Sequence, residues 1–177
     1  HNTGEVKAVG TDAQILVYGM DQNSTPSVVR NDGKITANAG SIHLDRVTGA
    51  GTITVVAGGR VDIDGAMDGG TIKLHSGMLE FGRGAGMQFA GYVRGLTKAS
   101  QIAIDDAWDG RDLAVAYRGL GQDAGGLIVT RGAEEILRIT LLGDYRQSDF
   151  RVTNYGSDVV VTVRQELTGA PHHAEIG

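Results

Sequence analysis

The feature that most constrains this chain is an internal repeat. Gly33-Lys34-Ile35-Thr36-Ala37, Gly51-Thr52-Ile53-Thr54-Val55 and Gly70-Thr71-Ile72-Lys73-Leu74 align with spacings of 18 and 19 residues. A second triplet follows in phase: Gly40-Ser41-Ile42-His43-Leu44, Gly59-Arg60-Val61-Asp62-Ile63 and Gly77-Met78-Leu79-Glu80-Phe81. Each repeat is therefore expected to carry two short strands. Within every strand apolar and polar residues alternate, the period of a sheet with one buried face rather than of a helix. A unit this short cannot bury its apolar side alone, so successive units must stack into a column. The expected fold is all-β, a right-handed parallel β-solenoid with coils of about 18–19 residues and an irregular C-terminal cap.

Stacking the repeats in register predicts four inward ladders: Ile35/Ile53/Ile72, Ala37/Val55/Leu74, Ile42/Val61/Leu79 and Leu44/Ile63/Phe81. Each residue would sit about 4.8 Å from its equivalent. Composition agrees with such a core. There are 28 glycines against 2 prolines, 3 phenylalanines and 1 tryptophan, so the interior must rest on small aliphatic residues and the chain must turn often. Glycines at the repeat boundaries supply corner positions that accept positive φ.

The chain divides into four stretches. Residues 1–32 hold strands at Ala13 to Tyr18 and Ser27 to Arg30, split by the turn-forming Asn23-Ser24-Thr25-Pro26, and form an earlier coil or a cap. Residues 33–90 are the regular solenoid. Residues 91–163 have irregular spacing, with apolar segments at Ile102 to Ile104, Leu113 to Tyr117, Leu127 to Val129, Ile136 to Leu142 and Val159 to Val163, and are expected to form broader coils or a terminal cap. Residues 164–177 form a polar tail. At 177 residues nothing demands a second domain.

A formal net charge of −5, with sixteen scattered Lys and Arg residues, argues against nucleic acid as a partner. No run approaches the roughly 20 apolar residues of a membrane span, and no basic-then-apolar export signal stands at the front. The absence of cysteine removes disulfides and thiolate metal sites. A chain opening His1-Asn2-Thr3 is expected to be a processed product or part of something longer.

Two runs resemble the C-terminal β-solenoid modules of bacterial adhesin or hemagglutinin-like and autotransporter passenger surface proteins of Gram-negative bacteria. The first is the glycine-threonine-initiated series from Gly51-Thr52-Ile53-Thr54-Val55 to Gly77-Met78-Leu79-Glu80-Phe81. The second joins Ala124-Gly125-Gly126-Leu127-Ile128-Val129-Thr130 to Ile139-Thr140-Leu141-Leu142-Gly143-Asp144-Tyr145 and Ser148-Asp149-Phe150. Such modules often carry a Gly-Asp-x-Ile-Asp-Leu stretch where this chain has Ala99-Ser100-Gln101-Ile102-Ala103-Ile104-Asp105. The resemblance implies export to the cell surface or medium, a stalk or terminal module, and adhesion or matrix assembly, with no catalytic residues to transfer. End-to-end self-association follows from the exposed strand edges of an uncapped coil.

Several groups are chemical candidates. The outward ladder His43/Asp62/Glu80, with Asp45 and Asp64 further along the same strands, brings carboxylates together. Stacked carboxylates raise one another's pKa, so Asp62, Asp64 and Glu80 could serve a polysaccharide lyase or hydrolase, or hold calcium. Against this, polar outward residues are what a half-buried strand requires, and no Arg or Lys recurs beside the ladder. Asp105, Asp106, Asp109 and Asp112 around Trp108 are a second calcium candidate, although Asp and Gly are also ordinary turn residues. Trp108 and Tyr117 could form a glycan-binding platform. His172-His173 would ligate zinc only with two further donors. Phe81-Gly82-Arg83-Gly84-Ala85-Gly86 lacks the helix that a dinucleotide loop needs, and there is no nucleophile elbow. The leading expectation is a structural or adhesive solenoid without enzymatic activity and without a required cofactor.

Overall fold

The computed structural model describes residues 1–17, 27–82, 89–121 and 123–164. Across them the chain is built of β-strands and a single 3-10 turn, and no helix is long and apolar enough to cross a membrane. The first coil comprises β1 (Glu5–Val9), β2 (Gln14–Val17) and β3 (Val28–Arg30). The second has β4 (Lys34–Asn38), β5 (Ser41–Leu44) and β6 (Arg46–Thr48). The third has β7 (Thr52–Val56), β8 (Arg60–Ile63) and β9 (Met67–Asp68). The fourth has β10 (Thr71–Leu74) and β11 (Gly77–Phe81), and β12 (Tyr92–Arg94) with β13 (Ser100–Ile104) extends the stack.

Every pairing among these strands is parallel, and the four expected ladders are in register. Ile35 lies opposite Ile53 and Ile53 opposite Ile72, while Leu44, Ile63 and Phe81 follow one another on the neighbouring sheet. All twelve ladder residues are 0–3% exposed. Full burial of each large aliphatic side chain is worth roughly 1.5–3 kcal/mol, so these rows hold the column together.

Close approach explains the glycines as much as backbone conformation does. A Cβ on Gly51 would come within 2.5 Å of the Gly33 carbonyl oxygen one coil below. Gly77 combines a φ of 103° with the Gly59 carbonyl oxygen standing against the place a Cβ would take, so both causes exclude a side chain there.

The coils differ from the sequence expectation in having a third strand. β3, β6 and β9 form their own small parallel sheet, to which Phe89 adds through a bridge with Met67. These strands point Val29, Val47 and Met67 inward, with Val47 and Met67 almost fully buried. Each is two or three residues long, so no alternation announces it. The first stretch is accordingly an earlier coil, and it includes β1, which no repeat motif marks.

After β13 the chain changes direction. β14 (Leu113–Gly121), β15 (Ala124–Arg131) and β16 (Glu134–Leu142) form an antiparallel meander, joined to the solenoid by parallel pairing of β16 with β12. A 3-10 turn at Gln147–Asp149 leads into the hairpin β17 (Phe150–Tyr155) and β18 (Asp158–Val163), and β18 pairs antiparallel with β13. This is a cap rather than a set of broader coils. Tyr117, Tyr145 and Phe150 cluster inside it with ring centroids 5.4–6.1 Å apart. The Tyr145 hydroxyl accepts the Leu96 N–H at 3.1 Å, which ties the Gly-Asp-Tyr segment to the last coil.

Candidate functional site

The outer face of the seven-stranded sheet gathers the acidic residues. Parallel register places His43 on β5 opposite Asp62 on β8, and Asp62 opposite Glu80 on β11. His43 Nδ1 lies 2.9 Å from an Asp62 carboxylate oxygen, and His43 Nε2 lies 2.9 Å from Asp64. One carboxylate therefore stands against each ring nitrogen of the same imidazole. The imidazole thereby ties β5 to Asp62 on β8 and to Asp64 just beyond the end of that strand. Asp62 Oδ1 is buried and has no hydrogen-bond partner. Burial pushes the Asp62 carboxyl above its ordinary value and the Asp64 charge adds to this, while His43 and Arg60 oppose it.

Glu80 is 6% exposed despite its outward register. Arg60, two residues before Asp62 and therefore on the same face, reaches across to it with Nη2 at 2.7 Å. Burial raises the Glu80 carboxyl, Arg60 counters, and the charges of Asp62, Asp105 and Asp158 raise it further. Arg60 is a residue that sequence reasoning passed over. It recurs in no other coil, but the strand alternation puts it beside the ladder.

Asp105 follows β13 directly, and Asp158 begins the antiparallel β18 beside it. Burial raises the Asp105 carboxyl, followed by the proximity of Asp158 and of Asp106. Asp106, at a φ of 47°, donates its N–H to Asp158 at 3.1 Å. Asp158 belongs to this group and was not anticipated, because the pairing of β18 with β13 is not encoded in any repeat.

Of the four aspartates around Trp108, Asp109 turns the other way. Its carboxylate takes Arg111 Nε and Nη2 at 2.9 and 2.7 Å, and Arg111 holds it down to about 2. Glu134 joins Arg111 at 3.0 Å and the buried Arg131 at 2.8 Å. Asp112 offers its carbonyl to the Gly132 N–H. Among the described residues, one set of His and carboxylate donors has ligand atoms within 4.8 Å of one another, and it is His43, Asp62 and Asp64. Those three could hold a divalent cation if the imidazole released one carboxylate. Asp45 lies apart from them in function, accepting the Ser27 N–H at 3.2 Å.

Trp108 is exposed, and its backbone N–H donates to the Ser157 carbonyl at 2.7 Å. Tyr117 packs with Tyr145 and Phe150 in the cap. The exposed aromatic on the turn that holds Trp108 is Tyr155. His172-His173 and the greater part of the Phe81 to Gly86 glycine run lie outside the described residues.

Fold and face together define a parallel β-solenoid with an acid-rich, largely ion-paired outer sheet and an antiparallel cap. No protein-family model matches the chain, and no curated protein matches its sequence.

Proposed function

We propose that this chain is a structural or adhesive module of an exported bacterial surface protein, serving as a stalk, an adhesion face or a self-associating unit of extracellular matrix. The observation that carries this reading is the unbroken column of inward ladders closed at one end by a cap. Such a column transmits load and presents repeated faces, and its coils are stable only by stacking. The alternative, a polysaccharide lyase or hydrolase, would use Asp62, Asp64 and Glu80. Two things weigh against it: His43 occupies both aspartates, and Glu80 is covered and paired with Arg60. A glycan-binding role is favoured by the exposed Trp108 and Tyr155 on linked turns near Asp105 and Asp158.

One experiment separates these readings. The protein is immobilised on beads and assayed for retention on polysaccharide-coated and abiotic surfaces, with product release from neutral and acidic polysaccharides measured in parallel. Retention without turnover is expected. Turnover that Asp62→Asn and Glu80→Gln abolish would overturn the structural reading in favour of the enzyme. Selective loss of glycan retention in Trp108→Ala would locate adhesion at the cap.

A further inference from the structure

The outer face of the eight-stranded sheet is unlike the acid-rich face of the seven-stranded one. Parallel register lays two rows of side chains across it, from coil to coil. One row runs Thr52, Thr71, Tyr92 and Thr140, and the other runs Thr54, Lys73, Arg94 and Leu142. The residues between the rows, Ile53, Ile72, Val93 and Leu141, are fully buried, so strand alternation turns both rows outward.

Among the described strands, Lys73 against Arg94 is the one register that sets cation against cation. Neighbouring strands lie about 4.8 Å apart, and like charges directly opposite each other repel. Elsewhere on this face Lys7 and Lys34 share Glu5 at 2.9 and 3.1 Å, and on the adjoining sheet Arg60 has Glu80 at 2.7 Å. β7, β10 and β12 carry no acidic residue, and neither Lys73 nor Arg94 forms an ion pair among the described residues. An anion seated between the two side chains would relieve their repulsion. His75 lies one residue beyond β10 with its ring against Gly95, next to Arg94, and a Cβ on Gly95 would come within 2.9 Å of that ring.

Tyr92 indicates what kind of anion suits the place. It is 48% exposed, with Thr71 and Thr140 opposite it on either side. Two residues separate it from Arg94 along β12, about 6.6 Å at the rise of a parallel strand. An exposed aromatic face flanked by hydroxyls suits a sugar ring, which offers C–H groups to the aromatic and hydroxyls to the threonines. A simple inorganic anion would have no use for it. The guanidinium of Arg94 matches a planar carboxylate through two parallel hydrogen bonds, and the Lys73 ammonium adds a point charge. Because the rows run from coil to coil, a polymer lying along them meets both. The carboxylates on the outer face of the seven-stranded sheet repel the same polymer, so charge confines it to this face.

We propose that Lys73, Tyr92 and Arg94 form a binding face for a polysaccharide of carboxylated sugars, with a ring on Tyr92 and an acid group between Lys73 and Arg94. The proposal rests on the adhesive reading above and gives it a ligand class and a face, on a different sheet from the one that carries Tyr155. Surface retention without binding of a carboxylated oligosaccharide would leave the adhesive reading standing and overturn this one. Turnover abolished by Asp62→Asn and Glu80→Gln would do the reverse, since neither residue lies on this face.

The test is titration of the full chain with oligomers of galacturonic acid, followed by calorimetry. Two comparison ligands run beside them: the methyl-esterified oligomers, which keep the sugar and lose the charge, and polyphosphate, which keeps charge and has no sugar ring. Both should bind about tenfold more weakly or worse, and added salt should weaken the galacturonate complex. Lys73→Glu, Arg94→Gln and Tyr92→Ala should each raise the dissociation constant for galacturonate about tenfold. Arg46→Gln removes the same charge from the third sheet and should bind as the parent does. Arg94→Glu sets unlike charges in register with Lys73, so its melting temperature should not fall while its binding is lost. Absence of galacturonate binding, equal binding of the ester or of polyphosphate, parent-like affinity in Lys73→Glu or Arg94→Gln, or an equal loss in Arg46→Gln would each overturn the proposal.

Discussion

Glu80 and Asp62 sit on the outer face of their strands yet are largely removed from water, and burial raises both carboxyls above the ordinary range. Asp105 is raised in the same direction. A carboxyl whose pKa is higher in the folded chain than in the unfolded one contributes stability below the unfolded value of about 4, and that contribution is lost as pH rises through the folded value. Glu5, Asp32, Asp109 and Glu134 are shifted downward and contribute in the opposite sense, above their unfolded values, but they are fully solvent-accessible and screened. The buried set should dominate between mildly acidic and neutral pH. Glu80→Gln keeps an acceptor for Arg60 while removing the buried charge. Its melting temperature at neutral pH is expected to be about 2 °C above the parent's, an effect on the order of 1 kcal/mol for a chain this long, with a flatter pH profile by calorimetry. A lower melting temperature at neutral pH would instead make the Arg60 ion pair the larger effect.

The elements divide into those that the repeat specifies and those that closure specifies. β4, β5, β7, β8, β10 and β11 each carry two inward apolar residues in alternation, so their existence, register and buried faces could all be read from Ile35 to Phe81. β6 and β9 offer one inward residue each, Val47 and Met67, which leaves nothing periodic to detect. β14 was legible as a strand but not as an edge. Gln147 lies 30 residues from Tyr117, and only the folded cap brings its amide to the strand. Replacing it tests how much the edge depends on that side chain. Gln147→Ala should cost about 0.5–1.5 kcal/mol for the lost hydrogen bonds and increase light scattering on concentration, because unpaired strand edges recruit one another. Unchanged scattering would assign edge protection to the packing of β17 alone.

At the scale of the molecule, stability should run along the solenoid axis. A coil in a stacked array draws its stability from its neighbours, so one with a neighbour on a single side opens first. In hydrogen exchange on dilute protein, the amides joining β1 to β4 should exchange well ahead of those joining β7 to β10, where Ile53, Val55, Ile72 and Leu74 are fully buried. Uniform exchange along the axis would mean that the column opens as a single unit.

By itself the sequence determined the coil period, the four inward ladders and the outward row His43, Asp62 and Glu80. It could do so because repeat spacing sets register, and register with a period of two sets the face on which each side chain falls. Tertiary structure alone decided that Arg60 is the partner of Glu80, that Asp158 stands beside Asp105, that Tyr117 packs with Tyr145 and Phe150 in the cap, and that an antiparallel cap follows the last coil. These depend on diagonal reach between coils and on antiparallel pairing between segments far apart in the chain. No local periodicity records contacts of that kind.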